Sequence, residues 1–180
     1  MEHSVELTIG NRMGFHVRPV QRFAEMARVF KADVEVCLRG RCVPGKSVMN
    51  LMSLGGRCGD PIVINARGED AMQCVGVLKF LVESHFFVED EPNSQNHPQR
   101  HITRLVSVAS CFRSDIEVKL DGHEADAKQE EALADLQLTP NCRPQLHVRG
   151  EDAEQARAIV ENLVSHYFYV EDEMVRSTKG

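Results

Sequence analysis

Residues 30–36 read FKADVEV, and residues 112–118 read FRSDIEV. The segment RGEDA occurs twice with the same offset, at residues 67–71 and at residues 149–153. Because an offset of about 82 residues recurs at separate points along the chain, the sequence is a duplication of one domain-sized unit, not an array of short repeats. The spacing therefore indicates that the chain folds as two copies of one domain.

The duplication predicts two domains, residues 1–84 and residues 85–180. In the first copy, apolar residues alternate as they do in strands, and longer segments carry apolar residues at helical spacing. The predicted order is β-α-β-β-α-β-α, an α+β open-faced sandwich in which helices cover one side of an antiparallel sheet. Strands are expected near residues 5–9, 34–38, 41–44 and 62–64, and helices near residues 16–30, 47–54 and 70–83.

The second copy is expected to repeat this order, and residues 85–89 occupy the place of its first strand. The matching C-terminal segment, residues 166–170, has no third copy to enter. It is predicted to be a strand that adds to a sheet edge, covers apolar surface, or pairs with another chain. Whether the second domain forms homo-oligomers is left open by the sequence.

A histidine and an arginine lie at the predicted start of the first helix, in residues 14–19 (GFHVRP). The first N–H groups of a helix have no internal partner, and the helix dipole adds positive potential there. A phosphoryl group on His16 would meet those N–H groups, with the Arg18 guanidinium nearby. Pro19 suits the first helical turn, where its missing N–H costs little. An ordinary surface histidine or a neutral cap is the alternative.

The segment GFHVRP resembles the active-site motif of HPr, the histidine-containing phosphocarrier of the bacterial phosphotransferase system, with Val17 in place of the more usual alanine. Residues 45–54 (GKSVMNLMSL) resemble the regulatory-serine segment of that family, and residues 59–64 (GDPIVI) resemble its last strand. The resemblance extends over residues 1–84 in the family order. It implies the same α+β open-faced sandwich that the patterning predicts.

The resemblance implies a phosphocarrier without a cofactor or a metal. His16 would accept a phosphoryl group that originates from phosphoenolpyruvate, with enzyme I as donor and an enzyme IIA domain as acceptor. Arg18 would stabilise the phosphate. Neutral imidazole is a competent nucleophile for this step.

The resemblance also implies that HPr kinase/phosphorylase modifies Ser47. The same serine is a good N-cap, and capping needs no kinase. The short helix after it would dock partner proteins, although some of its apolar residues are expected to be core. The predicted docking residues are Val48, Met49, Leu51 and Met52.

The second copy has lost the site. Pro98 stands where His16 stands in the first copy, and Gln129 stands at the position of Ser47. His97 could replace the acceptor with a slip of one position, and His97 with His101 has the spacing of a helical metal pair. Ordinary surface histidines are the favoured interpretation. A regulatory binding module that acts through protein partners is therefore the alternative function.

Composition bounds the remaining possibilities. Hydrophobic residues make up 42% and charged residues 27%, as is typical of globular proteins. The net charge of −6 arises in the second copy, and no basic stripe with aromatic residues suggests nucleic acid. There is no membrane-spanning run and no N-terminal signal, so a cytoplasmic location is expected. The six cysteines show no CxxC spacing and are expected to be reduced thiols.

Overall fold

The computed structural model describes residues 1–87, 98–139 and 142–168. The chain divides into two compact units, residues 1–94 and residues 95–180, which places the division somewhat later than residue 84. In the part of the chain that is described, no helix is long and apolar enough to cross a membrane.

The first unit has the predicted order of elements. These are β1 Glu2–Thr8, α1 Val17–Val29, β2 Asp33–Leu38, β3 Arg41–Pro44, α2 Val48–Ser53, β4 Pro61–Arg67 and α3 Ala71–Glu83. The four strands form one antiparallel sheet in the spatial order β1-β4-β2-β3. Helices α1 and α3 pack together, and α3 lies against β1 and β4.

Alternation in β2 shows why the helices cover one face only. Val34, Val36 and Leu38 are buried, whereas Asp33 and Glu35 are exposed. Successive side chains of a strand point to opposite faces, so the apolar set faces the helices and the charged set faces solvent. The predicted α+β open-faced sandwich is thereby confirmed for the first unit.

The last described element of the first unit is a 3₁₀ turn, His85–Phe87, and not a strand. His85 and Phe86 have φ angles of 54° and 55°, in the left-handed region, and Phe86 is buried. The strand predicted over residues 85–89 is therefore wrong for residues 85–87, because this segment packs back onto the first unit. Residues 88 and 89 lie outside the described residues.

The described elements of the second unit are α4 Pro98–Ala109, β5 Asp115–Leu120, β6 His123–Asp126, α5 Glu130–Asp135, β7 Gln145–Arg149 and α6 Ala153–Phe168. The three strands form an antiparallel sheet in the order β6-β5-β7. The predicted strand over residues 166–170 is wrong for residues 166–168, which continue the last helix. Residues 169 and 170 lie outside the described part.

A buried carboxylate in each unit shows the duplication at atomic level. Asp70 accepts hydrogen bonds from the backbone N–H groups of Lys31 and Ala32, both at 2.8 Å. Asp152 accepts from the N–H groups of Arg113 and Ser114, at 2.8 and 2.9 Å. Both aspartates stand just before the last helix of their unit and fix the turn between the first helix and the following strand.

One pair of cysteines is linked, contrary to the expectation of reduced thiols. Cys37 and Cys42 form a disulfide across the β2–β3 hairpin, where they are directly paired and their Cα atoms lie 4.0 Å apart. The spacing escapes a search for CxxC because the hairpin register, not sequence proximity, brings the two thiols together. Lys119 and Glu124 occupy the equivalent pair of positions in the second unit and form an ion pair at 2.8 Å.

Candidate functional site

His16 is the N-cap of α1, one residue before the first helical residue Val17. Its backbone is extended, with φ −117° and ψ −177°, and its carbonyl accepts the first helical bond from Val20 N at 3.3 Å. The imidazole is half-exposed and makes no capping hydrogen bond. His16 thus stands at a helix start, as the sequence predicts, with its side chain partly open to solvent.

A loop with three buried residues, Asn11, Gly14 and Phe15, holds the histidine in this position. Gly14 has a φ of 63° and donates to Asn11 O, while Asn11 Nδ2 donates back to Gly14 O at 2.7 Å. Phe15 N donates to Gly56 O at 2.8 Å, and the Phe15 ring is buried. A Cβ on Gly14 would collide with Gly56 O, so only glycine fits this turn. These contacts tie residues 11–15, which we call the acceptor loop after the predicted role of His16, to the loop after α2.

Arg18 is exposed on the first turn of α1. Pro19 is buried and occupies a position where its missing N–H removes no helical hydrogen bond. The N–H groups of Val17 and Arg18 lie at the positive end of the helix dipole. N–H groups at a helix start and an arginine side chain are both groups that can bind an anion.

Ser47 caps α2, and its Oγ accepts a 3.4 Å hydrogen bond from Asn50 N. The predicted capping role is confirmed. The preceding residue is fixed from α1, because Arg28 Nε donates to Lys46 O at 2.9 Å and Lys46 Nζ donates to Phe30 O at 2.7 Å. Ser47 itself is half-exposed.

The four predicted docking residues divide by exposure. Met49 is 79% exposed, and Val48 and Met52 are half-buried. Leu51 is 1% exposed and packs in the core, because a short helix that packs against α1 and β3 must bury one side. The assignment of Leu51 to the docking face is therefore wrong.

Two exposed apolar residues that the sequence did not mark as site residues lie close to His16 along the chain. Met13 is 77% exposed in the acceptor loop, and Val17 is 58% exposed at the first position of α1. Both side chains add exposed apolar surface beside His16, and Met49 adds it on α2, the helix that packs against α1. The sequence does show them, as apolar residues on either side of His16 at positions outside the apolar periodicity of α1.

The equivalent face of the second unit has different chemistry. α4 begins at Pro98, the position of the lost acceptor, and Glu130 and Glu131 replace Val48 and Met49. Gln99 Nε2 donates to Glu130 Oε1 at 2.6 Å. Within residues 1–87, 98–139 and 142–168, no group of three or more His, Cys, Asp or Glu could hold a metal ion. His97, the alternative acceptor, lies outside the described residues.

Comparison with known proteins matches both units to one protein family. A family described as the PTS HPr component phosphorylation site matches residues 3–84 and again residues 93–166. The chain is 35% identical over 82 residues to the phosphocarrier protein HPr of Vibrio cholerae, a match that covers 46% of this chain and 94% of that protein.

The chain is also 32% identical over 101 residues to a multiphosphoryl transfer protein of Xanthomonas campestris. That match covers 56% of this chain and 12% of the much longer relative. The crystal structure of HPr-C-His from Thermoanaerobacter tengcongensis is 33% identical, with a TM-score of 0.47, and the match covers 48% of this chain and 98% of that one.

Proposed function

Because the chain belongs to the HPr phosphocarrier family of the phosphotransferase system, we propose that it accepts a phosphoryl group on His16 from enzyme I and passes it to an enzyme IIA domain. The observation that carries the proposal is the position of His16. His16 is the N-cap residue of α1, and its half-exposed imidazole makes no capping hydrogen bond. Arg18, two residues later, is exposed.

The chemistry follows from this position. A ring nitrogen of neutral His16 attacks phosphorus, and the bond between phosphorus and the donor breaks with its electron pair leaving on the donor. The phosphoryl oxygens then lie within reach of the N–H groups that begin α1 and of the Arg18 guanidinium. Because the site is half-exposed, the phosphoryl group stays accessible, and the next acceptor can attack its phosphorus.

The experiment is incubation of the chain with phosphoenolpyruvate and enzyme I. One acid-labile phosphoryl group per chain is expected, and His16→Ala is expected to abolish it. Arg18→Met tests the stabilising role, since it should shorten the lifetime of phosphohistidine without moving the acceptor. Persistent labelling of His16→Ala would show that another histidine, such as His97, is the acceptor.

Regulation through Ser47 is a second part of the proposal. A phosphate there would place negative charge beside Lys46 and on the end of the unit that carries Met49. HPr kinase/phosphorylase is the proposed modifying enzyme. Ser47→Asp is expected to slow phosphorylation of His16, and Ser47→Asn, which keeps a capping side chain without charge, is the matched control. Equal rates for both variants across a range of salt would refute this role.

The second unit favours an additional binding role. It keeps the fold-fixing contacts of Asp152 and Lys128, whose Nζ donates to Phe112 O at 2.9 Å, but it has Pro98 in place of the acceptor. A regulatory module that acts through protein partners would need this core and no acceptor. The enzyme I experiment separates the two functions, because a labile phosphohistidine is expected only of the carrier.

A further inference from the structure

The 3₁₀ turn His85–Phe87 packs against the loop that carries His16. The Phe86 ring is completely buried and meets the buried Phe15 ring edge to face, with centroids 6.0 Å apart and an interplanar angle of 84°. Phe15 is the residue directly before His16. The contact therefore joins the segment after α3 to the backbone that positions the acceptor.

Two further contacts hold the turn in place. Arg22 Nη1 donates to Phe86 O at 3.0 Å, and Arg22 lies on α1, the helix that His16 caps. The ring of His85 lies against Gly10, where a Cβ would come within 2.7 Å of His85 Nε2. The turn is thus attached on both sides of the acceptor loop, to the residues that precede it and to the helix that follows it.

The backbone of the turn is unusual in a way that the second unit does not share. His85 and Phe86 are consecutive non-glycine residues in the left-handed region, a conformation that persists only where surrounding contacts impose it. In the matching segment of the second unit, residues 166–168, the backbone continues as helix α6. The left-handed turn occurs in the unit that has kept its acceptor histidine.

We propose that Phe86 is a positioning residue for phosphoryl transfer at His16, acting through Phe15. The Phe86 ring packs against the Phe15 ring, and the hydrogen bond from Phe15 N to Gly56 O holds the Phe15 backbone. A smaller side chain at position 86 lets Phe15 shift toward the vacated space and takes the His16 backbone with it. This inference rests on the proposed function for its kinetic consequence.

The experiment compares Phe86→Leu with Phe30→Leu, a matched control because Phe30 is equally buried in the same unit at the far end of α1. Displacement of a reacting group by a fraction of an ångström costs on the order of 10-fold in rate. We expect Phe86→Leu to lower kcat for phosphorylation by enzyme I by about that factor, with KM nearly unchanged. Phe30→Leu is expected to lose stability without this effect.

A double-mutant cycle tests the route through Phe15. In a Phe15→Leu background the further change Phe86→Leu is expected to lower kcat by less than 2-fold, since the two effects share one path. Full additivity of the two losses would overturn the proposal.

A third measurement does not depend on phosphorylation. The ring resonances of His16 in the NMR spectrum are expected to shift in Phe86→Leu and not in Phe30→Leu. If enzyme I fails to label the wild-type chain, the proposed function fails, and these resonances still decide the positioning role. Unmoved resonances, or equal shifts in both variants, would overturn it.

A second variant covers the case in which Phe86→Leu does not fold. Arg22→Met removes the hydrogen bond to Phe86 O, and Arg28→Met removes a comparable bond from the same helix to Lys46 O. Both changes delete one positive charge. Only Arg22→Met is expected to shift the His16 resonances and shorten the lifetime of phosphohistidine, which is measured without a partner protein. The same response from Arg28→Met would refute the role of the turn.

Discussion

Gly56→Ala is expected to slow phosphorylation of His16 through the packing of Phe15. Gly56 O accepts the Phe15 N–H, and an ideal Cβ on Gly56 would lie 2.6 Å from Ile9 Cδ1 and 3.2 Å from two carbons of the Phe15 ring. Carbon atoms in contact are normally about 3.5–4.0 Å apart. Ile9 and Phe15 must therefore move away, and Phe15 moves together with the residue that follows it.

The expected loss of stability is about 1–3 kcal/mol, the usual cost of adding a methyl group to a filled core. Gly55→Ala is the matched control. Gly55 has a φ of 60° and no atom within 4 Å of an added Cβ, so alanine there strains only the backbone, at a cost of about 1–2 kcal/mol. The two variants are therefore expected to unfold at similar urea concentrations and to differ at the acceptor.

The assay is the rate of phosphoryl transfer from enzyme I to each variant, with unfolding of the first unit followed by NMR in urea. We expect Gly56→Ala to lose on the order of 10-fold in rate, because the reacting nitrogen is displaced, and Gly55→Ala to keep nearly the wild-type rate. Equal rates in the two variants, at equal loss of stability, would refute the argument that Phe15 transmits packing to His16.

Three other substitutions or labelling experiments test the described contacts. Asp70→Asn removes a charged acceptor of two backbone N–H groups and is expected to cost about 2–4 kcal/mol in urea unfolding; a loss below about 1 kcal/mol would contradict the assigned bonds. Burial raises the pKa of Cys74 to about 12, so iodoacetamide should label exposed Cys58 first in the native protein, and equal labelling by mass spectrometry would argue against this core. Leu51→Ala should cost about 2–5 kcal/mol, whereas Met49→Ala should leave stability nearly unchanged and raise KM for enzyme I; the reverse pattern would exchange their roles.

The duplication and the alternation of apolar residues were sufficient to predict the fold. The strand that holds Val34 and Val36 and the cap at Ser47 are set by local patterns, and the structure confirms both. The turn at Phe86 was not predictable in this way. Its sequence, rich in aromatic and β-branched residues, favours a strand, and only the tertiary contacts with Phe15 and Arg22 outweigh that preference.

Other differences from the sequence analysis have a similar origin. The Cys37–Cys42 disulfide depends on which residues face each other across a hairpin, and a search for CxxC motifs does not test that pairing. The burial of Leu51 depends on the rotational phase of a helix too short to show a period of its own. In both cases the residue types were visible in the sequence, but the geometry that assigns their role is tertiary.

The second unit keeps a buried core residue on α5, Leu133, but has acidic residues where the proposed docking residues stand in the first unit. One of these acidic side chains is the reason why we expect the two units not to compete for one partner. Glu130 stands at the position of Val48, and its carboxylate accepts hydrogen bonds from Gln99 and Thr103 that join α5 to α4. A partner that buries the apolar end of the first unit, around Met49, would have to desolvate this carboxylate on the second. The charge-neutral variant Glu130→Gln is therefore expected to leave phosphorylation by enzyme I unchanged. A rate that changes as much as it does in Met49→Ala would show instead that the second face takes part in docking.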